Sequence, residues 1–139
     1  VGVGVLDPKY RNNATVTGTS GIDVSGNQIS NAAKFSLNLS GDFVLAEIND
    51  ATVDLSLDGA YTSRVYYDIA QTRTLSQPGY WVANGRIAYN AKRFAVGAGV
   101  KNIFNEKYFT YGLGLRFAGL DYLIRGTPRT YSADVTFRF

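Results

Sequence analysis

The final nine residues, Tyr131-Ser132-Ala133-Asp134-Val135-Thr136-Phe137-Arg138-Phe139, alternate apolar and polar positions without a miss. Successive side chains of a strand point to opposite faces, so Tyr131, Ala133, Val135, Phe137 and Phe139 line one face and Ser132, Asp134, Thr136 and Arg138 the other. The same period returns upstream. Phe35, Leu37, Leu39, Gly41, Phe43 and Leu45 oppose Ser36, Asn38, Ser40 and Asp42. Residues 53 to 68 continue it, with Val53, Leu55, Leu57, Gly59, Tyr61, Val65 and Tyr67 against Asp54, Ser56, Asp58, Thr62, Arg64 and Asp68. Trp81, Ala83, Gly85, Ile87 and Tyr89 then oppose Asn84, Arg86 and Asn90, and Phe94, Val96, Ala98 and Val100 follow after a short break. With a first strand ending near Leu6, the pattern predicts about six strands and no long helix.

The links between these strands alternate in length. Asn49-Asp50-Ala51-Thr52 and Asn90-Ala91-Lys92-Arg93 read as tight turns, whereas 7–32, 69–79 and 106–126 are long and rich in Gly, Ser, Thr, Asn and Tyr. An antiparallel up-and-down meander with short turns at one end and long loops at the other is the plan of a transmembrane β-barrel. The polar face carries Asp42, Asp54, Asp58, Arg64, Arg86, Lys101, Asp134 and Arg138, too many charges for a small dry core but suited to a hydrated lumen or a polar plug. Phe35, Tyr67, Tyr80, Trp81, Tyr89, Phe94, Phe104, Tyr108 and Phe139 fall at strand ends, where interfacial girdles are expected. Arg64 and Asp58 read as a lumen pair or plug contact.

Composition narrows the chemistry. The 139 residues include 15 Gly, 10 Tyr and 8 Phe but only 3 Pro, and no run approaches the roughly 20 apolar residues of a membrane helix. Absent Cys and His leave no disulfide, thiolate or imidazole ligand, so neither a metal site, a cofactor nor an enzyme is expected. The net charge of +3 is scattered, which argues against nucleic-acid binding. The chain opens Val1-Gly2-Val3-Gly4 without an initiator Met or signal sequence and is read as a mature product or a piece of one.

Three segments resemble one family. Gly26-Asn27-Gln28-Ile29-Ser30-Asn31-Ala32-Ala33-Lys34-Phe35 is similar to the entry of a late strand in TonB-dependent outer-membrane receptors, with Ala33 where that motif has proline. Val100-Lys101-Asn102-Ile103-Phe104-Asn105-Glu106-Lys107-Tyr108-Phe109 resembles the segment at their penultimate strand, and Gly126-Thr127-Pro128-Arg129-Thr130-Tyr131 the approach to their last. The resemblance implies that residues 1–139 are the C-terminal part of a barrel of about 22 strands, with the plug domain outside this chain. It also implies an integral, multi-pass β-barrel in the bacterial outer membrane and TonB-energised uptake of a scarce nutrient such as a ferric siderophore. The implied partners are outer-membrane lipid and lipopolysaccharide, the remainder of the barrel and its plug, TonB through that plug, and the barrel-assembly machinery. For the last, Tyr131, Val135, Phe137 and Phe139 on the terminal strand are the expected assembly signal, offered by edge augmentation.

Arg73, Tyr80, Tyr108, Tyr111, Arg116, Tyr122 and Arg125, with Arg129, are candidates for a cationic, aromatic-lined ligand vestibule. The plainer reading of these arginines is solvated loop residues or contacts to lipopolysaccharide phosphates. Asp54 and Asp58 form a pair of carboxylates, but with no His or nucleophile beside them they read as lumen-facing. Two other architectures stay open. Thr15-Val16-Thr17 and 111–117 could add two strands to make a stand-alone eight-stranded membrane barrel, porin-like or adhesive, and a soluble ligand-binding β-barrel is the other choice.

Overall fold

A computed structural model describes residues 1–11, 15–16, 22–115 and 119–139. Its strands are β1 (Gly2–Val5), β2 (Thr15–Val16), β3 (Ile22–Asp23), β4 (Phe35–Ile48), β5 (Ala51–Thr62), β6 (Val65–Tyr66), β7 (Ser76–Gln77), β8 (Tyr80–Asn90), β9 (Phe94–Lys101), β10 (Phe109–Leu115), β11 (Leu120–Arg125) and β12 (Thr130–Phe137). Six of them form one sheet in the order β1-β4-β5-β8-β9-β12, every neighbour antiparallel. These are the strands expected from the alternation. The sheet is an open piece of wall, not a closed barrel, with β1 and β12 as its two edges.

Register explains why the sheet has two unlike faces. One cross-strand row runs Phe43, Leu55, Ile87, Ala98 and Ala133, and the next runs Gly41, Leu57, Gly85, Val100 and Tyr131. Between them, on the opposite face, lies the row Asp42, Ser56, Arg86, Gly99 and Ser132. A slip of one residue would invert both faces, so this register is strongly specified. Phe43, Leu57, Ile87, Val96 and Val135 are all exposed on the apolar face. A soluble binding barrel would bury such a face inside. Here the largest fully buried side chains, Leu75, Val24 and Asn102, lie instead among the loops and at the exit from β9.

Two departures from simple alternation have local causes. In β4 the pairing skips Leu45, so that Phe43 opposes Leu55 and Ala46 opposes Val53. Without this β-bulge the odd positions would carry Glu47 onto the apolar face, whereas the extra residue returns Glu47 to the polar face and Ile48 to the apolar one. The expected strand 53–68 stops at Thr62. Ser63 closes the sheet there, its N–H donating to Phe35 O at 2.9 Å and its Oγ accepting from Phe35 N at 2.9 Å. Val65 and Tyr66 then turn away to pair with Gln77 and Ser76.

The short links lie at one end, at Asn49-Asp50 and 91–93, and the long ones at the other. Each long link holds a small two-stranded piece of its own: β2–β3, β6–β7 and β10–β11. The two segments that could have extended the wall to eight strands therefore pair within themselves or with their loop partner. Thr17, Arg116 and Phe117 lie outside the described residues.

Candidate functional site

Along the polar face, side chains hydrogen-bond one another across strands. Arg86 Nη2 donates to Asp134 Oδ2 at 2.7 Å, Asn84 Nδ2 to Asp58 at 2.6 Å and Asn90 Nδ2 to Asp54 at 2.6 Å. Gly97 lies under the Arg86 guanidinium, where any Cβ would strike Nη2. The expected Asp58–Arg64 pair does not form. Asp58 takes Asn84, and Arg64 Nη1 points to Ser76 Oγ at 3.4 Å. On the apolar face, aromatics sit at both ends. Phe35, Tyr61 and Trp81 pack in series at 5.9 and 5.1 Å between ring centroids on the long-loop side, and Tyr89 meets Phe94 at 5.9 Å on the short-turn side. Eight residues separate Trp81 from Tyr89, about 26 Å of strand at 3.3 Å per residue, near the height of a barrel's apolar band before tilt is allowed for.

Tyr67, Tyr80 and Tyr108 do not join these girdles. Tyr80 opposes Thr62 on the polar face and stacks on Tyr108, with centroids 4.6 Å apart and planes at 14°. The Tyr67 hydroxyl donates to Phe109 O at 2.6 Å, and its ring fills the space a Cβ on Gly112 would need. Strand alternation places aromatics by parity, but once the chain leaves the sheet at Ser63 that rule lapses and loop packing decides. Phe104 lines a shallow cleft with Trp81, and Phe139 extends past β12, fully exposed.

The β10–β11 hairpin is strapped down over the β6–β7 link. Gln77, buried, accepts from Phe109 N at 2.9 Å through Oε1, and Thr74 Oγ1 donates to Asp121 at 2.8 Å. Gly112 and Gly114 let this face sit directly on Tyr67 and Leu75. Burial, with a smaller contribution from Tyr80, pushes the Tyr67 phenol up to about 12 and keeps it a neutral donor. The other face is turned out: Tyr111 opposes Ile124, Leu113 opposes Tyr122 and Leu115 opposes Leu120, forming an exposed apolar and aromatic platform.

The root of this loop depends on Asn102, only 2% exposed and held at φ 52°. Its N–H donates to Asn84 Oδ1 at 2.9 Å, its Nδ2 to Glu106 O at 2.9 Å and Thr127 O at 3.0 Å, and its Oδ1 accepts from Glu106 N at 2.8 Å. Asn105 repeats the device, accepting from Arg129 N at 3.2 Å.

Among the described residues, the candidate vestibule side chains are thus not one cluster. Tyr80 and Tyr108 form the stacked root, Tyr111 and Tyr122 lie on the outward platform, and Arg125 is exposed opposite Phe109. Arg73 is exposed on the 3-10 turn Arg73–Leu75, and Arg116 lies outside the described residues. Neither Gln77 nor Asn102 is marked by periodicity or charge, although Asn102 stands within the Val100–Phe109 segment that resembles the receptor family. Tyr131, Val135 and Phe137 are exposed on the apolar face of the edge strand β12. Among the described residues, no group of three His, Cys, Asp or Glu side chains is arranged to hold a metal.

Comparison with solved structures finds the same wall. The chain is similar to the siderophore receptor PiuA and to BauA, the ferric preacinetobactin receptor, both from Acinetobacter baumannii, each at 24% identity and TM-score 0.66 over 82% of this chain. It spans only 15% and 16% of their lengths. No curated protein sequence matches it. Residues 6–103 match the family described as TonB dependent receptor-like, beta-barrel, and with the antiparallel wall and one-sided apolar face this chain belongs to the TonB-dependent receptor β-barrel family.

Proposed function

We propose that this chain is wall, outer loops and assembly strand of an outer-membrane receptor that takes up a ferric siderophore or comparable scarce nutrient, energised by TonB through a plug carried elsewhere in the protein. The observation that supports it best is the division of labour in the fold. An exposed apolar band bounded by aromatics suits lipid, a hydrogen-bonded polar face suits a lumen, and hydrogen-bonded loops at one end suit ligand capture. The neighbours' siderophore specificity lends the substrate class. The Tyr111–Tyr122 platform would meet the flat, apolar part of such a ligand, and Tyr131, Val135, Phe137 and Phe139 would present β12 to the barrel-assembly machinery.

The test is accumulation of radioactive iron, supplied as a panel of ferric siderophores, by cells whose only iron receptor is the intact protein. Uptake that stops on loss of TonB and falls several-fold when 109–125 is replaced by a short Gly-Ser link is the expected result. Entry that continues unchanged without TonB would overturn the reading.

A further inference from the structure

A second feature lies away from the tyrosines, where the loop entering β4 meets the chain leaving β5. A cavity of about 300 Å³ opens there, lined by Gln28, Lys34, Ser63, Arg64, Tyr66 and Gln71. That volume is at the low end of ligand pockets. Its walls are tied together. Gln28, buried, donates through Nε2 to Arg64 O at 3.0 Å and to Ala32 O, Asn31 N donates to Tyr66 O at 2.8 Å, and Asn27 Nδ2 donates to Ile69 O at 3.0 Å. Leu6 N donates to Lys34 O at 2.9 Å and Ile29 N to Pro8 O at 2.7 Å, so the segment entering β4 is pinned on both sides.

Two cations and no carboxylate line this cavity. Among the described residues neither Lys34 nor Arg64 has an acidic partner, the ion pairs there being Lys9–Asp7 and Arg86–Asp134. The nearby Asp68 instead accepts from Thr72 N at 2.8 Å and from Thr72 Oγ1. Arg64 makes one long bond to Ser76 Oγ at 3.4 Å, leaving most of its five N–H donors for another acceptor. Arg64 Nη1 reaches toward Ser76 Oγ on the β6–β7 link, and the girdle aromatics Phe35, Tyr61 and Trp81 are not among the residues that line the cavity. A membrane headgroup would approach from the girdle side, a solute from the lumen mouth.

We propose that Lys34 and Arg64, framed by Gln28 and Gln71, form a binding site for a carboxylate or phosphate group on a small solute entering from the long-loop end. Arg64 would grip two oxygens of the group in its planar fork and Lys34 would add a point charge. That the anion belongs to a transported solute rests on the receptor reading above; that the pocket takes an anion does not.

The intact receptor in detergent is titrated calorimetrically at low salt with inorganic phosphate and, separately, with citrate. Variant Lys34→Gln/Arg64→Gln is expected to bind both at least roughly tenfold more weakly, while Lys92→Gln/Arg93→Gln at the short-turn end binds as the parent does. Retained heat-modifiable gel migration establishes that each variant is folded, and Lys34→Gln alone is read in the same way if the double variant is not. Equal binding by parent and variant overturns the site. So does unchanged anion binding accompanied by loss of co-purified lipopolysaccharide, which would make the pair a lipid-headgroup contact. Failure of the transport reading is seen separately, as TonB-independent iron uptake with phosphate binding intact.

Discussion

Asn102 concentrates more of the loop's order than any neighbour, because four hydrogen bonds from one residue tie Asn84, Glu106 and Thr127 together at a point water barely reaches. Asn102→Ala removes the bonds to Glu106 N and to the Glu106 and Thr127 carbonyls, at about 0.5–1.5 kcal/mol for each net hydrogen bond lost. The Glu106 amide should then exchange with solvent roughly 10- to 100-fold faster, as mass-resolved hydrogen exchange of the intact receptor would detect, with the wall strands unchanged. Unaltered exchange at Glu106 would remove Asn102 from this role. Tyr67 gives a second residue-scale outcome. Its folded value of about 12 lies above the ordinary 10, so the folded state holds the phenolic proton more tightly. That stabilisation is complete below pH 10 and is lost as pH rises through about 12. An ultraviolet phenolate titration should contain a late step that Tyr67→Phe abolishes, and superimposable curves would argue against the buried donor.

At the scale of the element, the question is which face of each strand meets lipid. Ile87 sits in the middle row with Phe43, Leu55 and Ala98, while Ser40 lies on the other face opposite Asp58. Ile87→Arg should cost about 2–4 kcal/mol on insertion into bilayers, whereas Ser40→Arg should cost little, having a carboxylate across from it and a hydrated lumen around it. Denaturant titration of the intact barrel in vesicles separates the two, and equal penalties would contradict the assignment of faces. Much of this scale was legible beforehand: five of the six wall strands are well marked by the two-residue period, whereas the bulge, which takes Leu45 out of the register that the alternation through Phe43 and Leu45 implies, was not. The end of β5 was not legible. Val65 and Tyr67 keep the alternation going, but the chain is diverted at Ser63 by a bond to Phe35, 28 positions away.

For the whole molecule, the open sheet sets the main constraint. Among the described residues the outer edges of β1 and β12 carry no sheet partner, and bare strand edges in hydrocarbon cost several kcal/mol per unpaired group. These 139 residues expressed alone should give no heat-modifiable band in outer membranes, whereas co-expression with the remainder of the receptor should restore one. A folded, membrane-inserted band from the chain alone would support the stand-alone barrel instead. Intact mass from native membranes gives an independent answer, since a species several times larger than 15.1 kDa is expected.

Wall, faces and sidedness of the loops were determined by the sequence itself, because strand parity and turn composition are local properties that repeat along the chain. The ligand end was decided only by tertiary structure. Tyr67 meets Phe109, Tyr80 meets Tyr108, and Lys34 comes beside Arg64, through loop contacts between residues 28 to 42 positions apart. No periodicity records such meetings, since outside the sheet a side chain's direction depends on what it packs against.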